Sequence, residues 1–221
     1  ESWRKNVVGE YVKKIGMRRI LIMLLGNVFL GMGVSIFKFA GLGNDAYNAM
    51  MMALSDVVGI PYARFFAIFS VGLFVIELIA GRHFIGLGTI INTLFLGYIA
   101  TFFYNIWDFV FTKPGVLLTR IPVMVIGVII CSLGVSMYQR PDVGVSPYDS
   151  LSLIMDEKLP KISYFWCRMS NDVICALVAY FAGGLVGIGT VIAAFGLGPI
   201  VHFFNIHVTD KLLKTEKHSE N

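Results

Sequence analysis

The chain has 221 residues, 57% of them hydrophobic and 14% charged, with a mean hydropathy of +0.75 and a formal net charge of +4. That is too apolar for an ordinary soluble domain, and runs of about 20 apolar residues, each able to cross a hydrocarbon core of about 30 Å, recur along its length. The composition describes an integral membrane protein whose basic excess is what cytoplasmic Lys and Arg produce, with no nucleic-acid partner required.

Residues 1–19 read as a polar cytoplasmic leader carrying Arg4, Lys5, Lys13, Lys14, Arg18 and Arg19. They contain no apolar h-region, so no cleaved signal peptide is expected. The first span is predicted at Ile20 to Ala40, followed by a glycine turn, Gly41-Leu-Gly43. Asn44 to Val58 would reach only about 22 Å as a helix, too short to cross. Its Tyr47, Met50, Met51, Leu54 and Val58 fall at helical spacing, which predicts an interfacial or re-entrant helix. Pro61 to Ala80 is span two and Ile85 to Ile106 is span three. The second half repeats this order: span four at Ile121 to Tyr138, a short helix at Ser146 to Glu157, span five at Ser163 to Phe181 and span six at Leu185 to Ile206. The units are thus a leader (1–19), a first three-helix repeat (20–112), an external loop (113–120), a second repeat (121–207) and a cytoplasmic tail (208–221). Cys131, Cys167 and Cys175 lie in apolar runs and read as small buried hydrophobes, not as a disulfide framework.

The repeat is visible residue by residue. GLGTIINTLFLG, Gly86 to Gly97, returns as GIGTVIAAFGLG, Gly187 to Gly198. A shift of 101 also aligns Gly33-Val-Ser35 with Gly134-Val-Ser136, Gly43 with Gly144 and Tyr47 with Tyr148. Three spans per unit would place the second unit upside down relative to the first, as in many transporters. Charge placement tests this independently: with the N-terminus inside, fourteen Lys and Arg fall on inner segments and four (Lys38, Arg64, Lys113, Arg120) on outer ones. The expected fold is an all-α membrane protein of six transmembrane helices in two inverted three-helix repeats, each with a short interfacial or re-entrant helix. Both termini are expected in the cytoplasm, at a bacterial inner membrane.

LGNDAYNAM after the first GVS, GIPYARFF, GLGTIINTLFLGYI and the second-copy GVSPYDSL and GIGTVIAAFGLGPI together resemble the YczE/YyaS/YitT group of bacterial membrane proteins. The resemblance runs from about residue 20 to 207 and implies a six-span membrane protein. The group's pattern at the short-helix start reads Leu-Gly-x-Ser-Pro. The second copy keeps Ser146-Pro147, whereas the first has Asn44-Asp45-Ala46, so the two sites are not expected to play symmetric roles.

The short-helix starts are the first candidates for binding chemistry. Ser146-Pro147-Tyr148-Asp149 is a capping sequence, and Asn44 or Asp45 can cap the first copy. A helix N-terminus facing a cavity favours an anion; plain capping is the alternative, strengthened by a carboxylate already in the first turn. In the glycine motifs the residues serve close packing or a tight hairpin, or else open the helix and turn Thr89, Asn92 and Thr190 toward a cavity. Arg168 and Asp172, four apart on span five, can pair and neutralise each other or form a substrate or proton site. Glu77 lies near Arg82, which points to an interfacial ion pair. His202 is read as a hydrogen-bonded interior residue or a proton relay; its spacing to His207 rejects a zinc site, and no metal or cofactor is expected. Enzyme signatures are missing, so no catalytic activity is expected.

Together these features predict a multi-pass permease-like protein that moves or binds a small polar or anionic solute by alternating access between the repeats. Asn44, Asp45, Thr89, Asn92, Ser146, Tyr148, Asp149, Arg168, Asp172, Thr190 and His202 are its candidate binding residues. A substrate-binding membrane subunit working with an ATPase partner, and a non-transporting accessory protein, are the competing readings. The expected partners are the lipid bilayer, a small-molecule solute and either a second copy or an ATPase.

Overall fold

The computed structural model describes residues 15–162, 164–184 and 186–214, and every regular element among them is helical. The elements are α1 (Met17–Ala40), α2 (Ala46–Val58), α3 (Tyr62–Ala80), a 3₁₀ turn (Arg82–Phe84), α4 (Leu87–Val110), α5 (Leu117–Gln139), α6 (Pro147–Lys158), α7 (Tyr164–Phe181), α8 (Ile188–Phe204), a π turn (Asn205–Thr209) and α9 (Asp210–Lys214). Five helical segments are long and apolar enough to cross a membrane: α1, α3, α4, α5 and the continuous path from Ile188 to Lys214. The expected fifth span, α7, is not among them. Its 18 residues are interrupted by Arg168, Asn171 and Asp172, which lower its apolar character.

Several expected boundaries move. α1 starts at Met17, inside the expected leader, and the loop expected outside shrinks because α4 runs to Val110 and α5 begins at Leu117. The expected polar tail begins as helix, since the π turn carries the last span through to Lys214. Residues 1–14 and 215–221 of the leader and tail lie outside the described residues.

α1 and α5 form the central pair. Gly33 and Gly134 allow it: a Cβ on Gly33 would sit 2.6 Å from Cys131 Cα, and one on Gly134 would sit 2.7 Å from Leu30 Cα. Leu30 and Cys131 are themselves 101 positions apart, so the two contacts answer each other across the interface. Small residues bring helix backbones together where lipid removes the usual hydrophobic drive. Phe37 and Tyr138, both 0% exposed, close the ends of the pair. α4 packs on α1 and α8 on α5, each tied at its far end through a serine. Trp107 Nε1 donates to Ser35 Oγ at 2.9 Å, and Ser136 Oγ lies 2.7 Å from Asn205 Oδ1 and 2.6 Å from Thr209 Oγ1. The outer faces carry Phe109, Leu118, Phe181 and Ile79, at 79–91% exposure. So much bare apolar surface needs lipid to cover it. Cys131, Cys167 and Cys175 are buried free thiols.

The glycine motifs start α4 and α8 and do not break a helix. Gly86 and Gly187 are the N-caps, and each backbone N–H donates to the threonine three residues on, Thr89 or Thr190. Each motif also receives a loop from the other half. Gly88 N–H donates to Val143 O at 2.9 Å, and Gly189 N–H donates to Leu42 O at 2.9 Å. The residues after those carbonyls, Gly144 and Gly43, have φ of 112° and 114°, which a side chain rarely adopts. A Cβ there would lie 2.6 Å from Gly86 Cα or from Thr190 Oγ1.

Two glycine substitutions separate packing from helix propensity. Gly134→Ala forces α1 and α5 apart and is expected to cost about 1–3 kcal/mol. Gly72→Ala on α3 meets open space and is expected to be neutral or to stabilise by about 0.5–1 kcal/mol. Thermal unfolding of the purified protein in detergent checks both; a Gly134→Ala variant as stable as Gly72→Ala contradicts the packing account.

Candidate functional site

Two short helices begin at the centre of the molecule, and each is capped by a side chain. On α2 the cap is Asp45, whose carboxylate accepts from Asn48 N–H at 3.2 Å and from Asn48 Nδ2 at 2.9 Å. Asn44 does not cap; its amide donates to Val34 O and its Oδ1 accepts from Asp45 N–H. On α6 the cap is Ser146, accepting from Asp149 N–H at 3.2 Å, with Pro147 at the first helical position. Both helix starts therefore hold a carboxylate of their own, the arrangement a helix dipole favours.

Asp149 is the hub of the polar network. Its carboxylate accepts from Ser146 Oγ at 2.9 Å, from Gln139 Nε2 at 3.0 Å, from the Tyr138 hydroxyl and from the Arg168 guanidinium. Arg168 Nε also reaches Asp172 Oδ2 at 3.3 Å, and Tyr148 donates its hydroxyl to Asp172 Oδ1 at 2.6 Å. The Arg168–Asp172 pair expected from i, i+4 spacing is thus not self-contained, because Asp149 on α6 shares the guanidinium. Arg168 lies 4.9 Å from the centre of the Tyr148 ring, and Tyr148 stacks on Tyr47 at 4.1 Å with 10° between the planes. Tyr47, in turn, shares a 3.2 Å hydrogen bond with Ser70 on α3. The stacked rings join α2 to α6, which ties the two halves directly to the charged cluster.

A cavity of about 370 Å³ opens over this cluster, lined by Asp45, Gln139, Asp149, Arg168, Asp172 and His202 among others. A deeper space of about 60 Å³ shares Asp45, Asp149 and Arg168 with it and adds Asn92, Ser146, Tyr148 and Tyr138. The larger volume sits near the low end of the roughly 300–1,000 Å³ range of small-ligand sites. Three carboxylates face one guanidinium there; burial raises the pKa of Asp45, so the excess negative charge is one with Asp149 and Asp172 ionised and two when Asp45 ionises as well. A larger groove of about 730 Å³ beside Trp107 and Val116 is largely apolar. Among the described residues no group of three His, Cys, Asp or Glu is placed to hold a metal ion.

The structure brings Asp45, Asp149, Arg168, Asp172 and His202 around the main cavity, with Asn92, Ser146 and Tyr148 on the deeper space. Thr89 and Thr190 line neither. Thr89 Oγ1 is fully buried and donates to Val145 O at 2.7 Å, and Thr190 caps α8. Asn44 lines a separate, smaller space beside Lys38 and Asp56. Asn92 is tied to Asn27 Oδ1 at 3.1 Å. His202 is exposed at the cavity edge, not interior. Glu77 makes no ion pair with Arg82; it is 0% exposed, and Arg82 instead caps Leu78 O at 2.8 Å. Sequence reasoning missed Tyr138, Gln139 and Asn205. The first two close span four as a polar pair, a signal read only as a helix end.

A family model described as a family of unknown function, DUF6198, matches residues 17–206. The chain belongs to the DUF6198 family. It is 26% identical over 189 residues to an uncharacterised protein of Haemophilus influenzae, covering 85% of this chain and 83% of that one. It is 26% identical over 187 residues to YyaS of Bacillus subtilis, covering 81% and 89%. It is also 26% identical over 179 residues to the membrane protein YczE of the same organism, covering 80% and 81%. The resemblance to the YczE and YyaS group therefore holds, and this DUF6198 chain is a multi-pass membrane protein. No solved structure matches it significantly.

Removing Arg168 leaves Asp149 and Asp172 close together and largely buried without their shared cation. Arg168→Ala is expected to destabilise by about 3 kcal/mol. Arg168→Lys keeps the charge, loses the fork and recovers only part of that. Thermal unfolding in detergent measures both, and an Arg168→Ala protein as stable as the parent contradicts the network.

Proposed function

We propose that the protein is a permease-like transporter that moves a small polar solute across a bacterial inner membrane by alternating access between two inverted three-helix units. The observation that carries this reading is the cavity at the junction of the halves, with Asp45, Asp149, Arg168, Asp172 and His202 on its wall. Ionisable side chains at membrane depth are costly to keep and mark solute or ion pathways. The reciprocal contacts of residues 101 apart support the inverted arrangement, with α7 as the fifth of six spans, held across the bilayer by its packing on α2 and α6. The fourteen-to-four distribution of Lys and Arg supports termini in the cytoplasm.

The charge of the cavity favours one class of solute. Three carboxylates and one guanidinium repel an anion, so the anionic solute suggested by the helix N-termini is set aside. A solute bearing an amine fits: its ammonium meets Asp172 and Asp45, and a carboxylate, where it has one, meets Arg168.

Two measurements test the reading. In detergent, the protein is expected to gain thermal stability with one class in a panel of amines, amino acids, carboxylates and sugars, and the responding class should contain an amine. Asp172→Asn should lose that gain, and the same class should show flux in proteoliposomes. Neither stabilisation nor flux with any compound sinks the transport reading, and a response to carboxylates alone sinks the amine assignment. For topology, cysteines placed at Lys113 and Asp142 should react with an impermeant maleimide from opposite sides of the membrane; labelling from one side contradicts the inverted units.

A further inference from the structure

α3 turns one narrow stripe toward the protein: Tyr62, Ala63, Phe66, Ser70 and Glu77 are its buried residues, while most of the rest of the helix is bare. Glu77 is the anomaly on that stripe. It is 0% exposed, and among the described residues neither of its carboxyl oxygens reaches a hydrogen-bond partner. An ionised carboxylate cannot persist buried without partners, because its loss of hydration is uncompensated. The polar group alongside is Ser150 on α6, also fully buried. Its hydroxyl hydrogen is already given to Pro147 O at 2.9 Å. Ser150 Oγ can therefore accept a hydrogen bond but has none left to donate. With that hydrogen on Pro147 O, Ser150 Oγ is placed to accept one from a protonated Glu77.

The surrounding charges leave it no cation. On α6, Asp149 is the carboxylate whose charge acts on Glu77, and Arg168 is committed to Asp149 and Asp172. Glu157, farther along α6, pairs with His83 of the 3₁₀ turn at 2.9 Å near the exposed end. Arg82 donates to Leu78 O. On α2, Tyr47 bonds to Ser70, almost two turns before Glu77. On α4, Tyr98 is 50% exposed and Asp108 pairs with Lys113. A metal cation is not served either, since one carboxyl and one hydroxyl fall far short of the roughly six oxygens a hard ion takes.

We propose that Glu77 is an intramembrane proton-binding site, protonated while α3 is packed on α6 and able to release its proton where that contact opens. The route out is short. α3 ends three residues later at Ala80; its C-cap, Gly81, packs against Ile154 of α6, and Arg82 and His83 follow at the surface. The site is also next to the cavity in covalent terms, because Ser150 follows Asp149. This proposal stands on the α3–α6 geometry and does not require transport of any solute.

The test is dicyclohexylcarbodiimide, which reacts with protonated carboxyls in apolar surroundings, applied to the full-length protein in membranes across a pH series and mapped by peptide mass spectrometry. Glu77 should be modified at low pH, with labelling falling about tenfold per pH unit once the site titrates. Glu77→Gln should carry no label at that position. Ser150→Ala, which removes the acceptor for the neutral form, should move the fall to lower pH. An unmodified Glu77 at low pH, or labelling equal at every pH, overturns the proposal; the wild-type series decides this even if a variant fails to fold.

Discussion

The structure depends on an exchange of backbone between its halves. Leu42-Gly43 seats against the start of α8, and Val143-Gly144 seats against the start of α4, each through a 2.9 Å N–H to carbonyl bond. In lipid an unsatisfied helix-start N–H or loop carbonyl is costly, so each half completes the other's hydrogen bonding. Both loops need a residue at positive φ and no side chain, which is why both are glycine. With the loops held there, α2 and α6 must begin at the centre of the molecule instead of at its surface.

The central charged cluster follows from those two helix starts. Asp45 and Asp149 enter as first-turn groups that complement the helix dipole, a local role that needs no ligand. Once buried, Asp149 requires a cation, and α7 supplies Arg168 at the cost of its own apolar character. Asp172 then shares the guanidinium, and Tyr148 turns its hydroxyl to the same carboxylate. The cluster is anchored on one side by the Tyr47–Tyr148 stack and on the other by Tyr138 and Gln139 of α5. It is a packed structural network on its inner side and an acidic wall on the side facing the cavity. Structure and proposed binding therefore use the same residues.

Glu77 differs in kind. The charges of the central cluster answer one another, whereas Glu77 answers nothing around it. A group of this sort is held by the packing of α3 on α6 and registers any loosening of it.

The elements were legible in the sequence because lipid leaves few choices. Apolar runs of span length, glycine turns and the repeat at 101 placed all eight principal helices within a few residues, and Ser146-Pro147 announced the cap of α6. What a local reading could not decide was which polar groups meet. Arg168 and Asp172 read as a pair through i, i+4 spacing, yet a second partner, Asp149, comes from another helix nineteen positions earlier. Glu77 read as a partner of Arg82 by proximity in the chain, but the direction of α3's buried face turns it inward. Thr89 and Thr190 read as possible cavity groups and are instead consumed by caps and a loop from the opposite half. Spacing along the chain determines which residues share a helix face; only the packing of one helix on another decides what that face meets.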